Sequence, residues 1–276
     1  MSDFLAITVS QDSRVGCALA EHADGLGLRT AETGSWGLGY YHLGENLQRI
    51  EPRDGGTILD VLDVLSPLKA EVVILHTRRA TVGRVKPENT HPFRFKDWMF
   101  AANGTVEGFE ELRDQLRSAM PPFLARDIRG ETDSEHLFRL FLSFLYDSGQ
   151  LGRPNLLAQD ISDALTRTYA MVNEFVRSMG KEPSPQSAVV SNGYSLVAIG
   201  LGVPVDYALV EGIRSCHACR DSRRPGEASG IDHQELRAVI IRSGNLPAPP
   251  PGFLRLPDNH CLRVASDYRI EFTRAV

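Results

Sequence analysis

Two long helical stretches sit in the middle of this sequence, and short apolar runs flank them on both sides. That order limits the fold classes open to the chain. Ser134 to Tyr146 carries Leu137, Phe138, Phe141, Phe144 and Leu145, which predicts a helix with one apolar face. Leu156 to Met179 carries Ile161, Leu165, Tyr169, Val172 and Val176 at helical spacing, and Pro183 and Pro185 close it. Ahead of them, Phe4 to Val9 predicts a buried strand almost at the start. Val15 to His22 reads as a second strand or a short helix. Ile58, Val61, Leu62 and Leu65 form a helical pattern that Pro67 stops. Glu71 to Leu75 is a β-branched run expected as a central strand, and Trp98 to Ala102 reads the same way, ending at the turn dipeptide Asn103-Gly104. After the helices, strands are expected at Ala188 to Val190, Leu196 to Ile199, Ala238 to Ile241, Cys261 to Val264 and Ile270 to Phe272. Strands, then helices, then strands predicts an α+β protein with helices layered on antiparallel sheets. No repeat or linker divides it, so one domain is expected over residues 1–276.

The bulk properties exclude several functions. The net charge is -5 and no Lys/Arg block stands out, which argues against a nucleic-acid or anionic-membrane partner. No apolar run is long enough to span a bilayer. Met1-Ser2-Asp3-Phe4 lacks the features of a signal peptide, so a cytoplasmic protein is expected. Four cysteines (Cys17, Cys216, Cys219 and Cys261) are too few for a disulfide scaffold in 276 residues.

Four features carry potential chemistry. Ser2 follows the initiator Met. Removal of Met1 would leave its α-amine, of pKa roughly 7.7–8.0, beside its own hydroxyl as a base. Arg78, in His76-Thr77-Arg78-Arg79-Ala80-Thr81, lies at the end of the expected central strand, where a guanidinium can hold a carboxylate bidentately. Asn103-Gly104 ends the next strand, and an Asn NH2 with a Gly N–H can form an oxyanion hole. Gly130 to Glu135 opens a helix, with Thr132, Asp133 and Ser134 each able to cap it. There Asp133 could bind an α-ammonium. Each feature also has a plain structural reading: a common start, a surface Arg pair, a hairpin turn and a capped helix.

Their order makes the sequence resemble the class II glutamine amidotransferases, an N-terminal-nucleophile hydrolase family. The similarity is to the stand-alone, single-domain branch acting on γ-glutamyl compounds. The matching stretches are Trp36 to Tyr41, His76 to Thr81, Asn89-Thr90-His91-Pro92-Phe93, Asn103-Gly104 and Thr132-Asp133-Ser134-Glu135, with a looser match at Pro251 to Pro257. The resemblance implies a four-layer αββα sandwich. It implies that Arg78 binds the α-carboxylate of glutamine or a γ-glutamyl group, that Asp133 binds the α-amine, and that Asn103 and Gly104 stabilise the oxyanion. Thr81 would line the pocket. It implies no cofactor.

Three positions depart from the family pattern. Ser2 stands where the nucleophilic Cys would be, Ala102 precedes Asn103 where His is usual, and Gly34-Ser35 precedes Trp36 where Asp-Gly is typical. Three functions follow as expectations. The first is an amidohydrolase cleaving a γ-glutamyl amide with Ser2 as nucleophile. The second is a silenced pseudoenzyme acting as an amino-acid-binding or regulatory subunit. The third is a glutaminase subunit feeding a separate synthetase, which needs a protein partner because the chain has no room for a fused one.

Cys216-His217-Ala218-Cys219 has the two-residue gap of a zinc knuckle, and His233 or His260-Cys261 could add ligands. No second C-x2-C follows, so the expectation is a reduced thiol pair in a polar surface loop, with no metal site. Cys17 reads as a small buried thiol.

Overall fold

The computed structural model describes residues 2–26, 34–51, 60–79, 82–214, 216, 233–244 and 247–275. The strands are β1 (Asp3–Val9), β2 (Gly34–His42), β3 (Glu45–Glu51), β4 (Val72–Arg79), β5 (Phe93–Phe95), β6 (Trp98–Gly104), β7 (Gln186–Ser191), β8 (Leu196–Leu201), β9 (Val205–Glu211), β10 (Arg237–Ser243), β11 (Leu254–Arg255), β12 (His260–Val264) and β13 (Ile270–Arg274). The helices are α1 (Val15–Ala20), α2 (Ala23–Leu26), α3 (Val61–Leu65), α4 (Phe109–Ser118), α5 (Pro122–Arg126), α6 (Asp133–Asp147) and α7 (Ala158–Ser178).

Two antiparallel sheets stack face to face. One runs β11-β9-β10-β1-β4-β2-β3 and the other β13-β12-β8-β7-β6-β5. Strands from after residue 201 complete both. The first strand of the chain is therefore central, hydrogen-bonded to β10 on one side and β4 on the other. A central strand covered on both faces reads as a nearly continuous apolar run, as β1 does. Successive residues of a strand point to opposite faces, and β1 follows this. Phe4 and Ala6 enter the layer between the sheets, while Leu5, Ile7 and Val9 face the layer that holds α1 and α3. Helices α4 to α7 cover the outer face of the second sheet. The result is the four-layer αββα sandwich.

Local differences from the sequence reading have physical causes. Of the two readings open for Val15 to His22, the short helix is the one formed, over Val15–Ala20. Asn103-Gly104 is not a turn: both residues continue β6, paired with Ser187 and Gln186. Helix α6 is buried on all sides from Asp133 to Leu145, not on one face, because α4, α5 and α7 surround it against the sheet. Its one buried cation, Arg139, is matched by Asp127 at 2.9 Å and Glu135 at 3.8 Å. The apolar stripe of α7 is buried as its spacing predicts. Among the described residues, no helix is long and apolar enough to cross a membrane.

Candidate active site

The layer between the sheets is apolar along most of its length and polar at one end. In β4, Val72 and Ile74 line it, so His76 and Arg78 continue the same face. In β6, Met99 and Ala101 line it, followed by Asn103. In β7 it is Val189, preceded two residues earlier by Ser187. In β10, Val239 and Ile241 are followed by Ser243. The strand period of two thus carries four strands from apolar to polar at the same end.

Ser2 adjoins this end. Asp3 pairs with Thr77 and Phe4 with Ser243. One further step of the antiparallel register sets Ser2, which is half-buried, opposite Arg78. The Thr77 hydroxyl donates to Asp3 O at 3.4 Å. Burial raises the Asp3 carboxyl above its ordinary range, and the Arg242 guanidinium opposes that rise.

The buried Asn103 side chain crosses the layer, its Nδ2 donating to Ser243 Oγ at 2.9 Å, and Ser243 Oγ lies 2.6 Å from Ser187 Oγ. Gly104 has φ +97, and a Cβ there would run into Pro185 O. Only glycine keeps this backbone without strain, so Gly104 is where the strand can turn its amide.

Arg78 is buried, and its guanidinium forks onto main-chain carbonyls: Nη2 to Val82 O at 2.6 Å and Gly83 O at 3.2 Å, Nη1 to Arg84 O at 3.2 Å. Burial lowers its pKa, and the Asp133 and Glu131 carboxylates counter this. The loop it holds is tied from the other side. Asn89 donates to Arg84 O at 2.9 Å and to Glu131 Oε2 at 3.3 Å, and Glu131 N–H donates back to Asn89 Oδ1 at 2.8 Å.

Of the three residues able to cap α6, Thr132 does so, its hydroxyl accepting from Glu135 N–H at 3.3 Å. Glu135 turns away to accept from Arg129 N–H at 3.0 Å and Gly130 N–H at 2.6 Å. That leaves Asp133 in the first turn, where the helix N-terminus favours a carboxylate. Its oxygens accept from Val106 N–H at 2.7 Å and Ser134 N–H at 2.8 Å. Burial raises its pKa, and these bonds oppose the rise.

Several neighbours were given no site role by the sequence, although His76, His91 and Gly37 lie in the matching stretches. His76 Nε2 donates to Ala102 O at 3.1 Å, and its ring lies 4.1 Å from that of His91. Burial holds His76 down to about 3, and burial with the His76 and Arg78 charges holds His91 well below its ordinary value. Both are neutral near pH 7. Ser187 and Ser243 were detectable only as polar residues at inward positions of apolar strands. Gly37 is where β2 admits a neighbour's backbone: a Cβ there would overlap His91 O.

The departures separate. Ser35 pairs with Arg78 and its hydroxyl accepts from Thr90 Oγ1 at 3.3 Å, so it sits beside the polar end. The Ala102 side chain faces the helical core around Phe138, away from the inter-sheet layer. Strand alternation puts this side chain on the other face, while the Ala102 carbonyl still accepts from His76 Nε2. Thr81 and Cys219 lie outside the described residues. Cys216 lies near Cys17 and His233, far along the sequence from both.

The fold and this arrangement define an N-terminal-nucleophile type of sandwich, and the comparisons name the family. The model of the class II glutamine amidotransferases matches residues 1–201, and the chain belongs to that family. A glutamine–fructose-6-phosphate aminotransferase (isomerizing) of Haemophilus influenzae is 29% identical over 172 residues, covering 61% of this chain and 25% of that protein. The chain spans 39% or less of the length of the first curated relatives it matches. A glutamine aminotransferase class-II domain protein from Silicibacter pomeroyi has a solved structure that matches 99% of each chain, with a TM-score of 0.59 and 19% identity. The glutamine phosphoribosylpyrophosphate amidotransferase of B. subtilis matches 99% of this chain and 49% of its own, with a TM-score of 0.56 and 14% identity. These two likenesses concern the fold.

Proposed function

We propose that this glutamine amidotransferase-like protein is an amidohydrolase of a γ-glutamyl amide, built as one domain over residues 1–276, with Ser2 as nucleophile once Met1 is removed. The observation that carries the reading is the register of β1, which aligns Ser2 with Arg78 on one side and leads to Ser243, the partner of Asn103, on the other. Arg78 binds the substrate α-carboxylate and Asp133 its α-ammonium, as the two opposite buried charges at this end suit a zwitterion. The Ser2 hydroxyl attacks the amide carbon and its α-amine takes the proton. Asn103 Nδ2 and Gly104 N–H receive the oxyanion. Collapse breaks the C–N bond, the proton goes to the leaving nitrogen, and water hydrolyses the γ-glutamyl ester. Thr81 lines the pocket. No cofactor takes part, and the address is cytoplasmic.

One observation favours a second reading, a silenced protein that keeps an amino-acid pocket. The donors of Arg78 and Asn103 are turned onto the protein's own carbonyls and onto Ser243. An intact-mass measurement with γ-glutamyl amide turnover of wild type, Ser2→Ala and Ser2→Cys separates the two. Processed wild type that turns over, with Ser2→Ala inactive, supports hydrolysis. Retained Met1, or turnover that survives Ser2→Ala, overturns it. Turnover only in Ser2→Cys supports the silenced protein.

A further inference from the structure

Far from the inter-sheet layer, on the helix-covered face of the first sheet, three chain segments meet. Cys17 comes from α1, Cys216 from just beyond β9, and His233 from the short 3-10 turn His233–Glu235 that leads into β10. One ligand atom from each (two Sγ and an imidazole nitrogen) lies within 4.8 Å of the others. Cys17 and His233 are buried and Cys216 is half-buried. Among the described residues none of the cysteines forms a disulfide.

We propose that Cys17, Cys216 and His233 bind a zinc ion. Zinc prefers tetrahedral thiolate and imidazole donors, with Zn–S ≈ 2.3 Å and Zn–N about 2.0–2.1 Å, which sets the ligand atoms about 3.5–3.8 Å apart. With all three atoms within 4.8 Å of one another, the excess over that is at most about 1.3 Å, a distance side-chain rotation closes. Three donors fix the ion, and the fourth corner takes water or another donor.

The backbone draws together the segments that lead to two of the ligands. Gly212 N–H donates to Leu236 O at 2.7 Å and Ile213 N–H to His233 O at 2.8 Å, which joins the end of β9 to the entry of β10. Gly212 has φ +78, and a Cβ there would press on Gln234 O at 2.5 Å, so the approach of these two segments depends on glycine. Cys17 is buried in the same apolar cluster as Ile213 and Leu236. The remaining described cysteine, Cys261, is the contrast: it is buried beside Thr166 and its thiol is pushed up to about 11, the state of an inert core thiol. The ion would staple α1 to the β9–β10 connection. It stands on the opposite face of the sheet from Ser2, so its role is structural and does not depend on the proposed catalysis.

The test uses full-length protein purified under reducing conditions with ZnCl2 supplied, then desalted. Elemental analysis should find one zinc per chain, and Co2+ substitution should give the visible bands of tetrahedral cobalt with a near-ultraviolet thiolate charge-transfer band. Cys216→Ser changes a half-buried residue and tests the site without a core defect. It should lose the zinc and the cobalt bands while its circular dichroism stays native. Cys17→Ser and His233→Gln should lose the metal too. Chelation should lower the melting temperature of wild type and leave that of Cys216→Ser unchanged. The proposal is overturned by wild type that takes up no zinc or by a full equivalent of zinc in Cys216→Ser.

Discussion

The side-chain amide of Asn103 donates to Ser243 Oγ at 2.9 Å, and this bond joins the inner face of one sheet to the inner face of the other. Asn103→Ala removes it and leaves a small void, so a loss of about 1–2 kcal/mol is expected by chemical denaturation. If Asn103 is also an oxyanion donor, kcat for a γ-glutamyl amide falls by about 10²–10³. Ser243→Ala costs similar stability but less kcat, because the amide itself remains. Equal loss of kcat in both variants would remove the oxyanion role.

Two glycines are held by backbone neighbours that cannot yield. Gly104→Ala places an L side chain at φ +97 against Pro185 O, and about 1–3 kcal/mol of destabilisation follows. Gly37→Ala meets His91 O in the middle of a paired strand and should cost at least as much. Urea midpoints measure both; a neutral Gly37→Ala would contradict the close approach of His91.

Arg78 spans three carbonyls with a planar fork, which a lysine ammonium cannot reproduce. Arg78→Lys should keep the charge yet free the loop at 82–84. Hydrogen exchange there should quicken, and calorimetry should show weaker binding of glutamate or glutamine. Unchanged exchange would mean the loop is held by Asn89 and Glu131 alone.

His76 and His136 titrate at about 3 and about 4 in the folded protein, and His91 well below its ordinary value, chiefly because burial disfavours the cation. Their folded pKa values are depressed below the unfolded value near 6.5. The unfolded chain therefore binds more protons below that pH, and stability is present above it and lost as pH falls towards 4. Each group contributes a slope of up to about 1.4 kcal/mol per pH unit in that window. Buried Asp133 has a raised pKa and the opposite sign: its contribution is present below about 3.8 and lost as pH rises through its folded pKa. Melting temperature should drop from pH 7 to pH 5, and His136→Asn should flatten the drop. A flat profile in wild type would show that the histidines are not buried neutral.

Much of the fold was legible because burial on both faces leaves a plain mark. Phe4 to Val9, Glu71 to Leu75 and Ala238 to Ile241 are apolar at every or nearly every position, and they form the centre of the first sheet. The stripe of α7 showed its one buried face. Helix α4 and strand β9 went unread, since their apolar residues alternate with charged ones over short lengths. Asn103-Gly104 read as a turn on local preference, and pairing with β7 overrode it.

By itself the sequence determined the long apolar strands and the two long helices, the family pattern, and the presence of Ser2, Arg78, Asn103-Gly104 and Asp133 in order. It did so because periodicity and residue chemistry are local properties. Only the tertiary structure decided which face each strand residue takes. It set Ser35 beside Arg78, turned Ala102 into the helical core, gave Asn103 to Ser243, and gathered Cys17, Cys216 and His233. The reason is physical: these neighbours are set by sheet register and by the packing of layers, and both depend on residues far apart in the chain.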